Sequence, residues 1–193
     1  EIRWKNVRIQ TKNLKPSPAD DVFVLNTLIN NISPDEKRMG YRLLFDGKTT
    51  NGWKGAGKDI FPDKWYVEYG TLNVSRGHSA QVSSGGDIIT KEEFSAFDLQ
   101  FEFQMTDTAN SGVKYFVVEK EPTTNSAIGI EYHILDDDKH PDAKAGVNCN
   151  RKLASLYDLI PDNKTGSEKF TTGEWNRDRH TFTPAGTRGD GPQ

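Results

Sequence analysis

Cysteine is almost absent from this sequence: Cys149 is the single one among 193 residues. One thiol excludes an internal disulfide and any zinc site made of several cysteines. No apolar run approaches the roughly 18 residues that a membrane-spanning helix needs, so we expect no membrane span. The chain also begins without a charged and then apolar leader, which leaves a cytosolic protein or one whose signal segment lies outside this sequence.

The sequence also has no excess of basic over acidic residues. Lys and Arg number 25 against 28 Asp and Glu, and the basic residues are scattered, so nucleic acid is not an expected partner. What the chain does have is aromatic side chains: ten Phe, six Tyr and four Trp, within 34% hydrophobic residues. This supply, at a length natural for one domain, predicts a folded, β-rich protein.

Alternation of apolar and polar residues marks several strands. The segment FDLQFEFQM at 97–105 places apolar side chains on one face and polar side chains on the other. Similar patterns at 113–119 and 127–135 follow short turns, so we predict three neighbouring antiparallel strands. Shorter strands are predicted within 65–75 and 85–97. Together the patterns predict an all-β, antiparallel two-sheet sandwich.

Six segments of the chain occur in a familiar order: YRLLFDGKTTNGWKG, GGDIITKEEFSAFDLQFEF, ANSGVKYFV, IGIEYHILDDDKHPDA, ASLYDLIP and GEWN. Over about residues 35–176 they resemble the 3-keto-disaccharide hydrolase family, and the Phe-Asp-Gly-Lys-Thr opening followed by Gly-Trp is the most specific motif. The resemblance implies a jelly-roll sandwich of the concanavalin or laminin-G type. It also implies a carbohydrate partner, an oxidised sugar glycoside, and export to the periplasm or the cell surface.

The two ends of the chain depart from the family pattern. Residues 3–14 resemble the strand that closes the family fold, here at the opposite end of the sequence. After GEWN the chain runs into a tail rich in Gly, Pro and Thr. We therefore expect four parts: a stray strand in 1–14, a linker in 15–34, the sandwich domain in 35–176 and an unpatterned, flexible tail in 177–193.

Such a division has consequences for the sheet edges. The sandwich would be either incomplete or permuted, and its open edges would favour a homo-oligomer. Trp4, Val7 and Ile9 alternate imperfectly and are predicted to pair against a sandwich edge, where they would bury apolar surface. A short helix with a capping signal is predicted within 33–44.

The strand at 127–135 carries the first candidates for a site. Alternation puts Glu131 and His133 on one face, and Lys114 shares a face with them if the neighbouring strand is in register. Glu102 and Gln100 on the strand before it would extend a polar floor across the sheet. A solvated sheet face is the ordinary explanation of this pattern, whereas the family resemblance favours a sugar-binding face.

A sugar that carries a ketone at carbon 3 has an acidic hydrogen on carbon 2, and its removal lets the enolate expel the glycosidic oxygen. This chemistry needs a base, a cation near the carbonyl oxygen and an acid for the leaving group. Glu131 and His133 are the candidates for the base or a metal ligand, and Lys114 could stabilise the enolate oxygen. The alternative function is a non-catalytic, lectin-like module that binds carbohydrate.

Three successive aspartates and then a histidine follow this strand, in the segment DDDKHPDAK at 136–144. Their oxygens and nitrogen could hold a divalent cation such as Ca²⁺, although aspartates before a proline are also ordinary turn formers. His140 resembles the histidine of the family's HPDA segment and is added to the catalytic candidates. Asp137 and Asp138 are expected to be solvated. The candidates for binding substrate are Glu102, Asp136, Tyr157, Asp158 and Trp53.

Overall fold

The strands of the computed structural model form an antiparallel β-sandwich. The structure describes residues 2–12, 14, 26–74, 85–118, 127–162 and 170–183. In chain order the elements are β1 (Ile2–Gln10), α1 (Pro34–Met39), β2 (Tyr41–Leu43), β3 (Trp53–Gly55), β4 (Trp65–Glu68), β5 (Thr71–Val74), β6 (Ile88–Thr90), β7 (Phe97–Met105), β8 (Asn110–Val118), β9 (Ile128–Leu135), a 3₁₀ helix (Pro141–Lys144) and β10 (Trp175–Phe182). The predicted all-β, antiparallel sandwich is therefore confirmed.

Six of the strands make one large sheet. Its order is β10-β7-β1-β5-β4, and β2 pairs with β1 as well; β3 with β6 makes a separate two-stranded sheet, and β8 with β9 makes a hairpin. The apolar face of β7, with Phe101 and Phe103, packs against Tyr132 and Ile134 of β9. The core of the sandwich thus lies between the large sheet and the hairpin of β8 and β9.

The prediction of three neighbouring strands is wrong in one respect. β8 and β9 pair as expected, but β7 belongs to the opposite sheet. The turn after β7 carries the chain across the core, and Asp136 donates its backbone N–H to the Ala109 carbonyl oxygen at 3.0 Å to close this corner. Alternation within a strand does not reveal which strand lies beside it, so the sequence pattern could not detect this crossing.

Because β7 lies in the large sheet, the candidate residue Glu102 is not beside Glu131. Its side chain lies on the outer face of the large sheet, where it pairs with Arg177 and, at 3.3 Å, with Lys5. The Gln100 side chain on the same face donates to the Tyr41 hydroxyl at 2.8 Å. The predicted polar floor shared by Glu102, Glu131 and Lys114 therefore does not exist, because Glu102 belongs to a different sheet and pairs with residues of that sheet.

The first strand is integrated in the fold and is not a stray or edge segment as predicted. β1 lies between β7 and β5, with Trp4 directly opposite Phe103 on one side and Leu72 on the other. Trp4, Val7 and Ile9 are all buried, as predicted. A bulge at Asn6 has a positive φ of 52°, and the Asn6 and Asn30 side chains each accept a hydrogen bond from the backbone N–H of the other residue.

The end of the predicted sandwich also differs from the prediction. Residues 177–182, assigned to an unpatterned tail, continue β10, which pairs with β7 along its whole length. Arg177 and Arg179 form ion pairs with Glu102 and Asp98 of β7 on the outer face of the sheet. The rest of the predicted tail, 184–193, and most of the predicted linker, 15–25, lie outside the described residues.

The predicted short helix is confirmed as α1. Ser33 caps it in a capping box with Glu36, and Gly40 ends it with a φ of 95°. No helix in the described part of the chain has the length and apolar character to cross a membrane. A homo-oligomer formed through sheet edges stays a prediction.

Candidate functional site

The hairpin of β8 and β9 places an ammonium beside a carboxylate. Lys114 and Glu131 are directly opposite each other in the register of the two strands, so alternation puts both side chains on the same face. The Lys114 Nζ lies 3.8 Å from the Glu131 Oε2, with side chains 26% and 22% exposed. His133 shares this face, as the alternation along β9 predicted.

A glycine makes room for the Glu131 carboxylate. Gly112 lies on β8 opposite His133, and a Cβ atom at this position would come within 2.3 Å of the Glu131 Oε1 and 2.6 Å of its Cγ. The Glu131 side chain therefore lies directly over the Gly112 backbone. From the sequence, the ANSG segment was interpreted only as a turn. In the structure its glycine lies directly beneath the Glu131 carboxylate.

Substitution of this glycine is expected to move the carboxylate without removing it. In Gly112→Ala, the methyl group would overlap Glu131 Oε1, so the carboxylate must rotate away from its place beside Lys114. We expect turnover of a substrate of this site to fall by at least about tenfold, since small misplacements of reacting groups are costly. Val118→Ala, at an exposed position of β8 that is not part of the cleft lining, serves as control. Equal activities of the two variants would contradict the role of Gly112.

His133 is on the predicted face but is buried there, with 1% of its surface exposed. Its Nδ1 lies 2.7 Å from the Arg151 carbonyl oxygen and its Nε2 lies 3.1 Å from the Asn110 side-chain amide. A carbonyl oxygen can only accept, so Nδ1 carries a proton. Burial lowers the pKa of His133, and both ring nitrogens are engaged. In this structure His133 is therefore a structural neighbour of Glu131 and is not open to a substrate.

The segment that covers His133 pairs with β9 on the side opposite to β8. His133 donates its N–H to the Ser155 carbonyl, and the Tyr157 N–H donates to the Glu131 carbonyl, both at 2.9 Å. The Tyr157 ring contacts His133 edge to face at 4.8 Å. Asp158 receives two hydrogen bonds from Arg151, at 2.6 and 2.7 Å. Tyr157 and Asp158 thus brace the cover over His133.

The electrostatic environment of Glu131 favours its protonated form. Burial raises the pKa of Glu131; the Lys114 charge opposes this effect, and the charges of Asp87 and Asp142 add to it. A carboxylate with a raised pKa is a stronger base than an ordinary glutamate. The hairpin therefore holds a carboxylate that is suited to accept a proton from carbon, with an ammonium group next to it.

This raised pKa has an expected effect on stability. Because the folded protein disfavours the Glu131 carboxylate, wild-type stability falls as pH rises from the ordinary glutamate value of 4.5 through the raised pKa. Glu131→Gln should therefore gain thermal stability relative to wild type over this window and lose the advantage at lower pH. Thermal melts across the pH range measure this difference.

Glu36 provides a control of opposite sign. Burial alone would raise its pKa, but hydrogen bonds from Ser33 and Asn26 and the charge of Arg8 together lower it. Glu36→Gln should therefore lose stability above the ordinary glutamate value, and the loss should disappear as pH falls through the lowered pKa. The same trend with pH in both variants would contradict our assignment for Glu131.

A cleft of about 680 Å³ opens beside the two charged groups. Lys114, Glu131 and Asp87 contribute polar groups to its lining. Its aromatic lining consists of Trp4, Trp53, Trp65, Phe94, Phe97, Phe101, Tyr115 and Phe116. Trp53, a predicted sugar contact, is part of this wall and donates its indole N–H to the Leu44 carbonyl at 2.7 Å. Volume and lining are in the range typical of small-molecule sites.

The aspartate loop forms a turn, which was one of the two interpretations that the sequence left open. Asp136 is 3% exposed, and its carboxylate accepts the Thr108 N–H at 2.7 Å and the Asp138 N–H at 3.2 Å. Asp137 accepts the Leu153 N–H at 2.7 Å, so it is not simply solvated, whereas Asp138 is exposed as predicted. The prediction that Asp136 binds substrate is therefore not supported by its position, because the turn uses both its oxygens.

His140 begins the 3₁₀ helix and accepts the Asp142 N–H on its Nδ1 at 3.2 Å. It is partly exposed and is not among the residues that line the cleft. Among the described residues, no group of three His, Cys, Asp or Glu side chains could hold a metal ion. His140 is thus not part of the cleft lining, and the described residues of the aspartate loop form no such group of metal-binding side chains.

Sequence reasoning missed one charged residue of the site, Asp87. Its Oδ2 accepts hydrogen bonds from Lys114 Nζ at 2.8 Å and from the Ala127 N–H at 3.0 Å. Asp87 precedes β6 by one residue and is 27 positions from Lys114. No periodicity links two residues that belong to separate sheets. The only signal in the sequence was an aspartate directly before an apolar strand, which more commonly ends a turn.

Fold and site together define a β-sandwich protein with a partly buried carboxylate, an ammonium and an aromatic cleft at one hairpin. The sequence model of the 3-keto-alpha-glucoside-1,2-lyase-like domain matches residues 40–185, and the chain belongs to this family. A 3-keto-disaccharide hydrolase of Bacteroides thetaiotaomicron is 43% identical over 149 residues, which cover 72% of this chain and 51% of that protein. The chain thus matches about half the length of this relative. β1 precedes the matched range although it lies inside the large sheet.

Proposed function

We propose that this domain cleaves the glycosidic bond of 3-keto-glycosides or 3-keto-disaccharides by removing the proton from carbon 2. The observation that carries the proposal is the pairing of Lys114 with Glu131 at the cleft, with the pKa of Glu131 raised by burial. The family and the named activity of the Bacteroides thetaiotaomicron relative support the substrate class. Export to the periplasm or the cell surface stays a prediction.

In the proposed first step, the Glu131 carboxylate takes the proton from carbon 2, and the electron pair of that C–H bond forms an enolate with the ketone at carbon 3. Lys114 faces the developing negative charge on the carbonyl oxygen. An ammonium has three donors; Asp87 and the Ala127 carbonyl occupy two of those on Lys114. The third can turn to the enolate oxygen, where a positioned charge stabilises the transition state.

In the second step the enolate electrons form the double bond between carbons 1 and 2, and the bond from carbon 1 to the glycosidic oxygen breaks. The leaving oxygen needs a proton, which Glu131, protonated in the first step, can return. Addition of water across the new double bond completes a net hydrolysis. The aromatic wall of the cleft, including Trp53, can contact the apolar face of a sugar ring or its leaving group.

A direct test compares a 3-keto-glucoside with its unoxidised parent. The proposal predicts release of the leaving group from the ketone alone, because only the ketone makes the hydrogen on carbon 2 acidic. Equal release from both compounds would indicate an ordinary glycosidase mechanism and contradict the proposal. Binding of both without release of a leaving group would favour the lectin-like module and would also contradict it.

A further inference from the structure

Asp87 connects two of the smaller sheets at the cleft. Its Oδ2 accepts from Lys114 Nζ at 2.8 Å and from the Ala127 N–H at 3.0 Å, and Lys114 in turn donates to the Ala127 carbonyl at 3.0 Å. The Asp87 carbonyl accepts the Ala56 N–H at 2.9 Å. The backbone of Asp87 is therefore held in place by a hydrogen bond. Its side chain connects the residue before β6 to Lys114 of β8 and to Ala127 at the start of β9.

The distances show which carboxylate holds the lysine. Lys114 Nζ is at hydrogen-bond distance from Asp87, at 2.8 Å, and beyond it from Glu131, at 3.8 Å. If Lys114 closed onto Glu131 instead, a direct charged hydrogen bond would stabilise the carboxylate and weaken it as a base. The position of the ammonium therefore decides whether Glu131 can accept a proton.

We infer that Asp87 is a positioning residue of this site: it holds the Lys114 ammonium between the cleft and Glu131, and so keeps the Glu131 carboxylate free to take a proton. The inference rests on the proposed function for its catalytic meaning, but the geometry it describes does not depend on turnover. Asp87 acts through Lys114 and Glu131 and needs no contact with substrate.

Within the described part of the chain, charged groups on three elements act on Glu131. Lys114 on β8 lowers the pKa of Glu131, whereas Asp87 before β6 and Asp142 in the 3₁₀ helix raise it. Removing the charge of Asp87 should therefore lower the pKa of Glu131 in two ways. The direct repulsion disappears, and Lys114, held less firmly, can approach Glu131 more closely.

A purely structural role of Asp87 predicts a different result. As a brace, Asp87 would serve by accepting hydrogen bonds from Lys114 and from the Ala127 N–H. Asparagine can accept both through its amide oxygen. Asp87→Asn should then behave like wild type if only the brace matters, whereas it removes the charge on which the positioning role depends.

The experiment compares wild type, Asp87→Asn and a control, Asp35→Asn. Asp35 is an exposed aspartate of α1 that pairs with Arg38, so the control makes the same charge change away from the cleft. One readout is the pH dependence of kcat/KM on a 3-keto-glucoside. The other is the titration of the Glu131 side-chain carboxyl, followed by carbon NMR of labelled protein without substrate and assigned with the Glu131→Gln variant.

We expect the acidic limb of the pH profile and the Glu131 titration to move to lower pH in Asp87→Asn but not in Asp35→Asn. The kcat above this limb should fall on the order of tenfold, with little change in KM, because a less basic carboxylate is a poorer proton acceptor. A Glu131 titration that is unchanged, or moved to higher pH, would overturn the inference. Failure of wild type to cleave the ketone would overturn the proposed function, and the substrate-free titration would still decide the role of Asp87.

Discussion

Glu131→Gln is expected to reduce kcat on a 3-keto-glycoside by about 10²–10⁴-fold, the usual contribution of a general base. The amide preserves the size of the side chain over Gly112 but cannot accept the carbon 2 proton at neutral pH. KM should change much less, since the aromatic wall of the cleft and Lys114 remain in place. Steady-state kinetics on purified variants measure both quantities.

Glu68→Gln is a matched control for this experiment. Glu68 is exposed at the end of β4 and is not part of the cleft lining, so the same charge change there should leave kcat unaltered. A fold defect is checked by the thermal melts described for Glu131→Gln, which should be at least as stable as wild type at neutral pH. A Glu131→Gln variant that is folded and within tenfold of wild-type kcat would contradict the assignment of the base.

Trp4→Ala is expected to destabilise the domain by about 3–5 kcal/mol, the range for deleting a large buried aromatic side chain. Trp4 is 7% exposed in the interior strand β1 and packs against Phe101 and Phe103, with ring centroids 5.5 and 6.1 Å away. An alanine there leaves a void between β7 and β5. For a chain of this size the melting temperature should fall by roughly 10 °C.

Tyr69→Ala controls for the loss of an aromatic side chain as such. Tyr69 is 89% exposed in the turn after β4, so its truncation should change stability by no more than about 0.5 kcal/mol. Denaturant unfolding of both variants measures the difference in the free energy of unfolding. If Trp4→Ala is no less stable than Tyr69→Ala, then β1 does not contribute to the core as its interior place in the sheet requires.

Local features of the fold were accessible from the sequence. The alternation over 97–105 defines β7 with the same bounds as the structure, and the capping signal at Ser33 predicts α1. Sheet membership was not accessible, because alternation describes the two faces of a strand and not its neighbours. The same reason explains why β1 was predicted at an edge, although its apolar residues indicated correctly that it is buried.

The final strand shows a second limit of pattern reasoning. In β10, Asp178 and His180 occupy inward positions, where apolar residues were expected. Asp178 accepts a hydrogen bond from the Tyr132 hydroxyl, and the His180 ring stacks on Phe101 at 5.4 Å. Polar residues at inward positions remove the signal on which strand prediction depends. Residues 177–182 were assigned to a flexible tail for this reason.

The candidate site, too, could be predicted only in part from the sequence. Parity along β9 and the register of one hairpin were enough to predict that Lys114, Glu131 and His133 share a face. Parity could not show that residues 151–157 cover His133, nor that Asp87 contacts Lys114 from another sheet. Those contacts depend on how loops pack over the sheet. Alternation within one strand cannot indicate this packing.

The central claim, that Glu131 removes the proton from carbon 2, is tested most directly by exchange of that proton with solvent. A 3-keto-glucoside whose leaving group departs slowly is incubated in D₂O, and deuterium at carbon 2 of the recovered substrate is measured by NMR. Wild type should accelerate exchange over the uncatalysed rate, and Glu131→Gln should lose this acceleration while Glu68→Gln keeps it. Exchange that is equally fast in wild type and Glu131→Gln would contradict the claim.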